Sequence, residues 1–199
     1  YAFCGRESQR ADIEISSQIT SIGDYAFCGY GGDWYDENYN GTVNIKLHEG
    51  LTSIGEYAFS SIYHLEEIDL PDSLTTLGKG AFASDNQLKS MTIPPKVTVI
   101  PDSLFEECLN LESVTLPNGI TEIGKRAFYG PLYLTSIHLP SSLKKIDDYA
   151  FCFFQPRQFS KLTSIAIPDS VEYIGEHAFE RNGNLKSVTL SKNMKKIEA

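Results

Sequence analysis

The chain has 199 residues, 41% hydrophobic and 22% charged, a globular balance with ample apolar surface for a core. A formal net charge of −9 without a basic stripe excludes a nucleic-acid binder and disfavours an anionic membrane surface, and no apolar run approaches the ~20 residues of a membrane-spanning helix. Four cysteines with no CxxC pair exclude a dense disulfide framework and a zinc ribbon.

The chain opens on "YAFCG", without Met or a visible signal peptide and in the middle of a pattern that keeps returning. A Phe preceded by Ala or Leu stands at Phe3, Phe27, Phe59, Phe82, Phe105, Phe128, Phe151 and Phe179, with gaps of 24, 32, 23, 23, 23, 23 and 28 residues. A period of 23 with insertions of one, nine and five residues predicts a solenoid. We read 1–199 as a single domain of about eight 23-residue repeats, cut at both ends, with insertions near 29–41 and 153–159. The finish, "KKIEA", also breaks off inside a repeat, and neither end shows the polar cap a terminal coil needs. The natural protein is expected to be longer, or its ends to pair.

After the first partial unit comes the nine-residue insertion, "GYGGDWYDENYNG", with the chain's one Trp, Trp34, and with Tyr30, Tyr35 and Tyr39. Loops carry function more often than scaffolds, and Trp and Tyr dominate binding hot spots. Trp34, Tyr35 and Tyr39 could stack on a sugar or grip a peptide, or fold back over the first coils. Asp33, Asp36, Glu37 and Asn38 offer oxygens, but their spacing does not match an EF-hand. Asn40 opens a glycosylation sequon.

The regular units follow. In "LESVTLPNGITEIGKRAFYG", Leu111 to Gly130, Val114 and Leu116 alternate with Ser113 and Thr115, the mark of a strand with one buried face. Pro117 has no N–H for a ladder and ends the strand. Ile120 and Ile123 point inward from a second extended stretch. "GKRAF" is expected to make a tight turn or one helical turn, bringing Ala127 and Phe128 into the core. The residue after the second Ile is Gly23, Gly55, Gly78, Gly124 or Gly175, but also Pro101 and Asp147. Pro cannot take a positive φ, so the site is read as a helix start rather than a left-handed corner.

Stacking these units predicts continuous inward columns: Leu65, Leu88, Leu111, Leu134, Leu162 and Leu185; Ile68, Met91, Val114, Ile137, Ile165 and Val188; and the phenyl rings. The outward columns are Asp12, Asn44, Glu67, Ser90, Ser113, Ser136, Ser164 and Ser187, beside Glu14, Lys46, Asp69, Thr92, Thr115, His138, Ala166 and Thr189. This face is either a plain solvated sheet or a shallow groove for an extended partner, with acidic residues at one end steering basic groups. The candidate binding residues on it are Glu67, Asp69, Thr92, Thr115 and His138. Near the second insertion, Phe153, Phe154 and Phe159 are expected to patch the side of the rod.

The signature "SVTLPxxIxxIGxxAF" resembles the BspA-type leucine-rich repeat, a family of bacterial and protozoan surface proteins. It covers essentially the whole chain. It lacks the Asn ladder of commoner leucine-rich repeats: Asn118 is isolated, with Asp72, Pro95, Ser141 and Asp169 at the equivalent sites. The resemblance implies an α/β-type leucine-rich-repeat solenoid, mostly β. We expect a parallel sheet of about eight strands, short helical turns or second strands on the other side, and a curved right-handed rod. It further implies a cell-surface or secreted protein that adheres to a host or matrix protein, with a glycan or a passive spacer role as alternatives, and it implies no catalysis.

Nothing else in the sequence carries chemistry. His48, His64, His138 and His177 occupy different repeat positions and form no HxxH or HExxH pair. No G-x-S-x-G, P-loop or Rossmann glycine pattern occurs. No enzyme activity, cofactor, metal or membrane insertion is expected. Cys4 and Cys28 hold matching positions in adjacent coils, about 5 Å apart, within disulfide range; two free thiols are the alternative. Cys108 is expected to be buried.

Overall fold

The computed structural model describes residue 3 and residues 12–30, 42–154 and 160–198. Its strands are β1 (Ile13–Glu14), β2 (Ser21–Ile22), β3 (Ile45–Lys46), β4 (Ser53–Ile54), β5 (Thr76–Leu77), β6 (Ser90–Thr92) and β7 (Val99–Ile100). The second half adds β8 (Ser113–Thr115), β9 (Glu122–Ile123), β10 (Lys145–Ile146), β11 (Ser164–Ala166), β12 (Tyr173–Ile174), β13 (Ser187–Thr189) and β14 (Lys196–Ile197). All pairings are parallel and hold the repeat register, as in Met91↔Val114 and Ile100↔Ile123. Each coil therefore lays its residues on the equivalent residues of the next.

The expected second strands exist and are the better connected. On that side β2-β4-β5 and β7-β9-β10-β12-β14 form sheets of three and five strands. The side carrying the Ser-x-Thr stretches is not one sheet of eight. It is three two-stranded pieces, β1-β3, β6-β8 and β11-β13. Pro71, Pro94, Pro117, Pro140 and Pro168 each close a stretch of that side, and a residue without an N–H cannot extend the ladder. Pairing so limited lapses in places; the backbone bond tying 65–70 to 88–93 is Lys89 N–H to Glu66 O, at 3.1 Å.

The expected helical turn is absent: among the described residues there is no helix. After the second strand the chain alternates between right- and left-handed backbone. Tyr25, Tyr57, Ser103, Arg126, Tyr149 and His177 take φ of 50–57°, and Ser61, Ser84, Glu107 and Arg181 take 59–62°. Such alternation sends every second N–H along the stack. Ser103, Phe105 and Glu107 donate to the carbonyls of Lys125, Ala127 and Tyr129 at 2.8, 2.9 and 2.8 Å, while Leu104, Glu106 and Cys108 donate to the carbonyl three residues back. A helical turn would bond only within the coil; this corner bonds coil to coil. Gly23, Gly55, Gly78, Gly124 and Gly175 are not among the positive-φ residues, so they need no left-handed backbone, but they do not begin helices either.

The core is the set of inward columns, but not to their expected end: in the last described coil Leu185 is only half-buried and Val188 is exposed, because no further described coil covers them. Phe59, Phe82, Phe105, Leu65, Leu88 and Leu111 are wholly buried. Ring centroids from Phe27 through Phe59, Phe82, Phe105, Phe128, Phe151 and Phe179 are spaced 5.4, 5.7, 6.3, 5.5, 5.0 and 5.3 Å. Ala58, Ala81, Ala127 and Ala150, each preceding a ring, are also buried completely, because a larger side chain there would hold the coils apart.

Candidate interaction surface

Strand pleating puts successive side chains on opposite faces, and both outward columns are exposed from Asp12 and Glu14 to Ser187 and Thr189. Thr92 and Thr115 face outward on β6 and β8, directly paired. Glu67, Asp69 and His138 are exposed on coils whose outward stretch forms no strand. Trp34, Tyr35 and Tyr39 lie outside the described residues, as do Asp33, Asp36, Glu37, Asn38 and Asn40.

The acidic end of this face is partly neutralised within itself. Glu14 accepts from Lys46 Nζ at 2.9 Å and bonds His48 Nε2 at 3.1 Å. Those partners, Lys46 foremost, hold its carboxyl below the usual range. Asn44 Nδ2 donates to Asp12 Oδ1 at 2.8 Å. Lys89 pairs with Glu66. Glu67 and Asp69 form no ion pair among the described residues, and neither does Asp12, whose partner is the neutral Asn44 amide, so the unspent charge belongs to these three. Glu67 lines a cleft of about 270 Å³ with Asn44, Glu66, Lys89 and Ser90.

Among the described residues no group of three or more His, Cys, Asp or Glu could hold a metal ion, and no helix is long and apolar enough to cross a membrane. These histidines do not converge: His48 bonds Glu14, His177 stacks on Tyr149 at 4.9 Å, and His138 is exposed on the outward face. Cys28 is a free thiol, not half of a disulfide, and Cys108, also free, is buried as expected; Cys4 lies outside the described residues. Phe153 is buried and Phe154 stacks on Tyr129 at 5.1 Å, so this pair does patch the side of the rod, while Phe159 lies outside the described residues.

A second decorated face was not expected. It is built by the left-handed residues of the turns. Tyr25 stacks on Tyr57 at 5.3 Å, and the Arg126 guanidinium lies 5.1 Å from the Tyr129 ring and 5.7 Å from that of Tyr149. The signal was present in the sequence, as Tyr recurring two residues after the glycine register at positions 25, 57 and 149.

A family model described as "BspA type Leucine rich repeat region" matches in six copies, over residues 1–32, 37–155 and 152–199. Among solved structures, a leucine-rich repeat protein of Eubacterium ventriosum is similar at 26% identity, covering 90% of this chain and 44% of its own, with a TM-score of 0.72. The Treponema pallidum (T. pallidum) leucine-rich repeat protein TpLRR is 25% identical over 69% of this chain and 72% of its own, with a TM-score of 0.55. The pneumococcal vaccine antigen PcpA shares the fold at 22% identity, over 93% of this chain and 51% of its own, with a TM-score of 0.51. The chain thus spans under half the length of the Eubacterium ventriosum protein. No curated protein matches.

Proposed function

Because the chain belongs to the BspA-type leucine-rich repeat family, we propose that it is a non-catalytic, surface-displayed or secreted repeat protein that adheres to a host or matrix protein. One observation carries this reading: two adjacent outward columns are exposed along the whole stack while the column between them is buried from Ile45 to Ile165. The scaffold is thereby constant and the outward side chains free to differ, which is how repeat folds host binding without catalysis. Unpaired Glu67 and Asp69 give the face a site for basic groups of a partner. The surface location rests on the family resemblance.

The test is binding of the purified chain to a panel of immobilised extracellular-matrix proteins, alongside a glycan array. Binding to a matrix protein that weakens in Glu67→Lys/Asp69→Lys and survives Trp34→Ala supports the proposal. A glycan signal lost in Trp34→Ala would replace it with a glycan-binding module, and a blank on both would leave a spacer.

A further inference from the structure

The turn face is interrupted. Its column of left-handed residues runs Tyr25, Tyr57, Gly80, Ser103, Arg126, Tyr149, His177. Rings stack at one end, Tyr25 on Tyr57 at 5.3 Å, and at the other, Tyr149 on His177 at 4.9 Å. Gly80 and Ser103, between them, contribute no ring. Tyr57 leans over Gly80, where a Cβ would overlap its ring. Arg126 reaches back one coil to Glu106, Nη1 to Oε1 at 3.4 Å. Between Tyr57 and Arg126 a notch of about 200 Å³ remains, with Ser103 in its lining. It is smaller than a drug-sized pocket, which runs about 300–1,000 Å³, and suits a single side chain.

The charges around the notch are unequally spent. Lys125 Nζ pairs with Asp148 at 3.4 Å and Arg126 with Glu106. Asp102 Oδ1 accepts the Lys125 backbone N–H at 2.8 Å. Lys79, exposed on the same rim, has no ion pair among the described residues. On a chain of net charge −9, this rim brings three cations against the carboxylates of Asp102 and Glu106.

We propose that this notch docks one aromatic side chain of a partner protein that carries a carboxylate beside it. The ring lies between Tyr57 and the Arg126 guanidinium, and the carboxylate meets Lys79. A guanidinium and a phenol both gain from a facing π system. A sugar offers no such face to the guanidinium, and a nucleic acid would bring a run of phosphates, where a peptide brings one carboxylate that can be placed at Lys79 away from Asp102 and Glu106. The inference rests on the reading of the chain as a protein-binding scaffold, and adds a second place and a partner chemistry to it.

The experiment is an NMR titration of the ¹⁵N-labelled chain with the capped peptide Gly-Gly-Tyr-Glu-Gly-Gly. Controls replace Tyr by Ala or Glu by Lys, and cellohexaose serves as the glycan probe. Saturable amide shifts confined to Lys79, Ser103, Arg126 and their neighbours are expected. The Lys peptide should bind at least about tenfold more weakly and the Ala peptide not measurably, since charge complementarity and the ring each contribute. Ser103→Tyr, which places in the gap the residue found at the same register in Tyr25, Tyr57 and Tyr149, should abolish the shifts. Lys79→Glu, an exposed change that leaves the core untouched, should reverse the preference between the Glu and Lys peptides. No shift with the first peptide, equal shifts with the Ala peptide, shifts spread over the surface, or binding unaffected by both substitutions would overturn the proposal. Saturation by cellohexaose in place of the peptide would assign the notch to a glycan. Loss of matrix binding in Glu67→Lys/Asp69→Lys reports on the outward face alone, so the two readings fail separately.

Discussion

Asp102 Oδ1 accepts a hydrogen bond from the backbone N–H of Lys125 in the next coil at 2.8 Å, and glycine at residue 124 makes room for it. The same bond runs from Glu56 N–H to Asp24 at 2.8 Å, beside Gly55, and from Glu176 N–H to Asp148 at 3.0 Å, beside Gly175. A Cβ on Gly124 would sit 2.5 Å from Asp102 Oδ1 and 2.7 Å from its backbone N. Aspartate in one coil and glycine in the next therefore form a matched pair. The non-glycine residues at this register, Pro101, Asp147 and Glu198, follow coils that carry Lys79, Lys125 and Glu176 in place of the aspartate. Gly124→Ala is expected to destabilise by about 1–3 kcal/mol, the usual cost of overpacking. Gly119→Ala is the control: its nearest atom would be Pro95 O at 3.9 Å, and loss of unfolded-state entropy should leave it neutral or up to about 1 kcal/mol more stable. Urea unfolding of both variants checks the pair.

Phe105 is wholly buried between the rings of Phe82 and Phe128. Phe105→Ala should cost about 3–5 kcal/mol, as for other core aromatics. Phe179 ends the described ring column and is only partly buried, so Phe179→Ala should cost roughly half as much. Equal losses in urea unfolding would contradict the column.

How much was legible follows from what each residue type encodes. The faces were readable because alternation is local: Ser113, Val114 and Thr115 are exposed, buried and exposed, although the same "SVT" at 187–189 is exposed throughout, since burial also needs a coil stacked on each side. The corner was not, because Ser103, Glu107 and Arg126 have no intrinsic preference for positive φ; what holds them there is the neighbouring coil's carbonyl. "GKRAF" was compatible with a helical turn and lost to inter-coil bonding. The notch was hidden for a related reason. It is made by Tyr57, Ser103 and Arg126, which become neighbours only when coils 23 residues apart are laid in register. Trp34, the most individual residue in the sequence, lies outside the described residues.

Glu107 tests the left-handed corner. It is exposed, carries φ of 61°, and joins no ion pair among the described residues. A non-glycine residue held in this region costs on the order of 1 kcal/mol. Glu107→Gly should therefore stabilise by up to about 1 kcal/mol, and Glu107→Val should destabilise, since β-branching is least tolerated there. Thermal unfolding of the two variants should move in opposite directions.

The thiols should react in a fixed order. Burial raises the Cys108 thiol well above the usual range and pushes Cys152 up to about 11, so both stay protonated near neutral pH, and the thiolate is the nucleophile. Cys28 is only half-buried. Among these three, iodoacetamide at pH 8 should label Cys28 first, with Cys108 labelled only on unfolding; peptide mass spectrometry reads the order.

Asp85 gives the fold a pH dependence opposite to that of its surface carboxylates. It is completely buried, accepts the Ile62 N–H at 2.7 Å through Oδ1, and its Oδ2 has no hydrogen-bond partner. The ionisable groups that act on it are the thiols of Cys28 and Cys108, and among the described residues no cation forms an ion pair with it to stabilise a carboxylate. Burial holds its carboxyl well above the usual range, so the folded chain keeps a proton that the unfolded chain releases above about pH 4. Its contribution is thus fully present below about pH 4 and declines as pH rises toward the folded value. Glu14 and Glu172, lowered by Lys46 and Lys195, act in the other sense, losing stability as pH falls. Asp85→Asn keeps an acceptor for Ile62 and removes the ionisation. The variant should match the parent near pH 3 and exceed it at pH 7 by a few degrees in Tm, a gap on the order of 1 kcal/mol or more. Parallel Tm curves from pH 3 to pH 8 would show that Asp85 does not carry the buried proton.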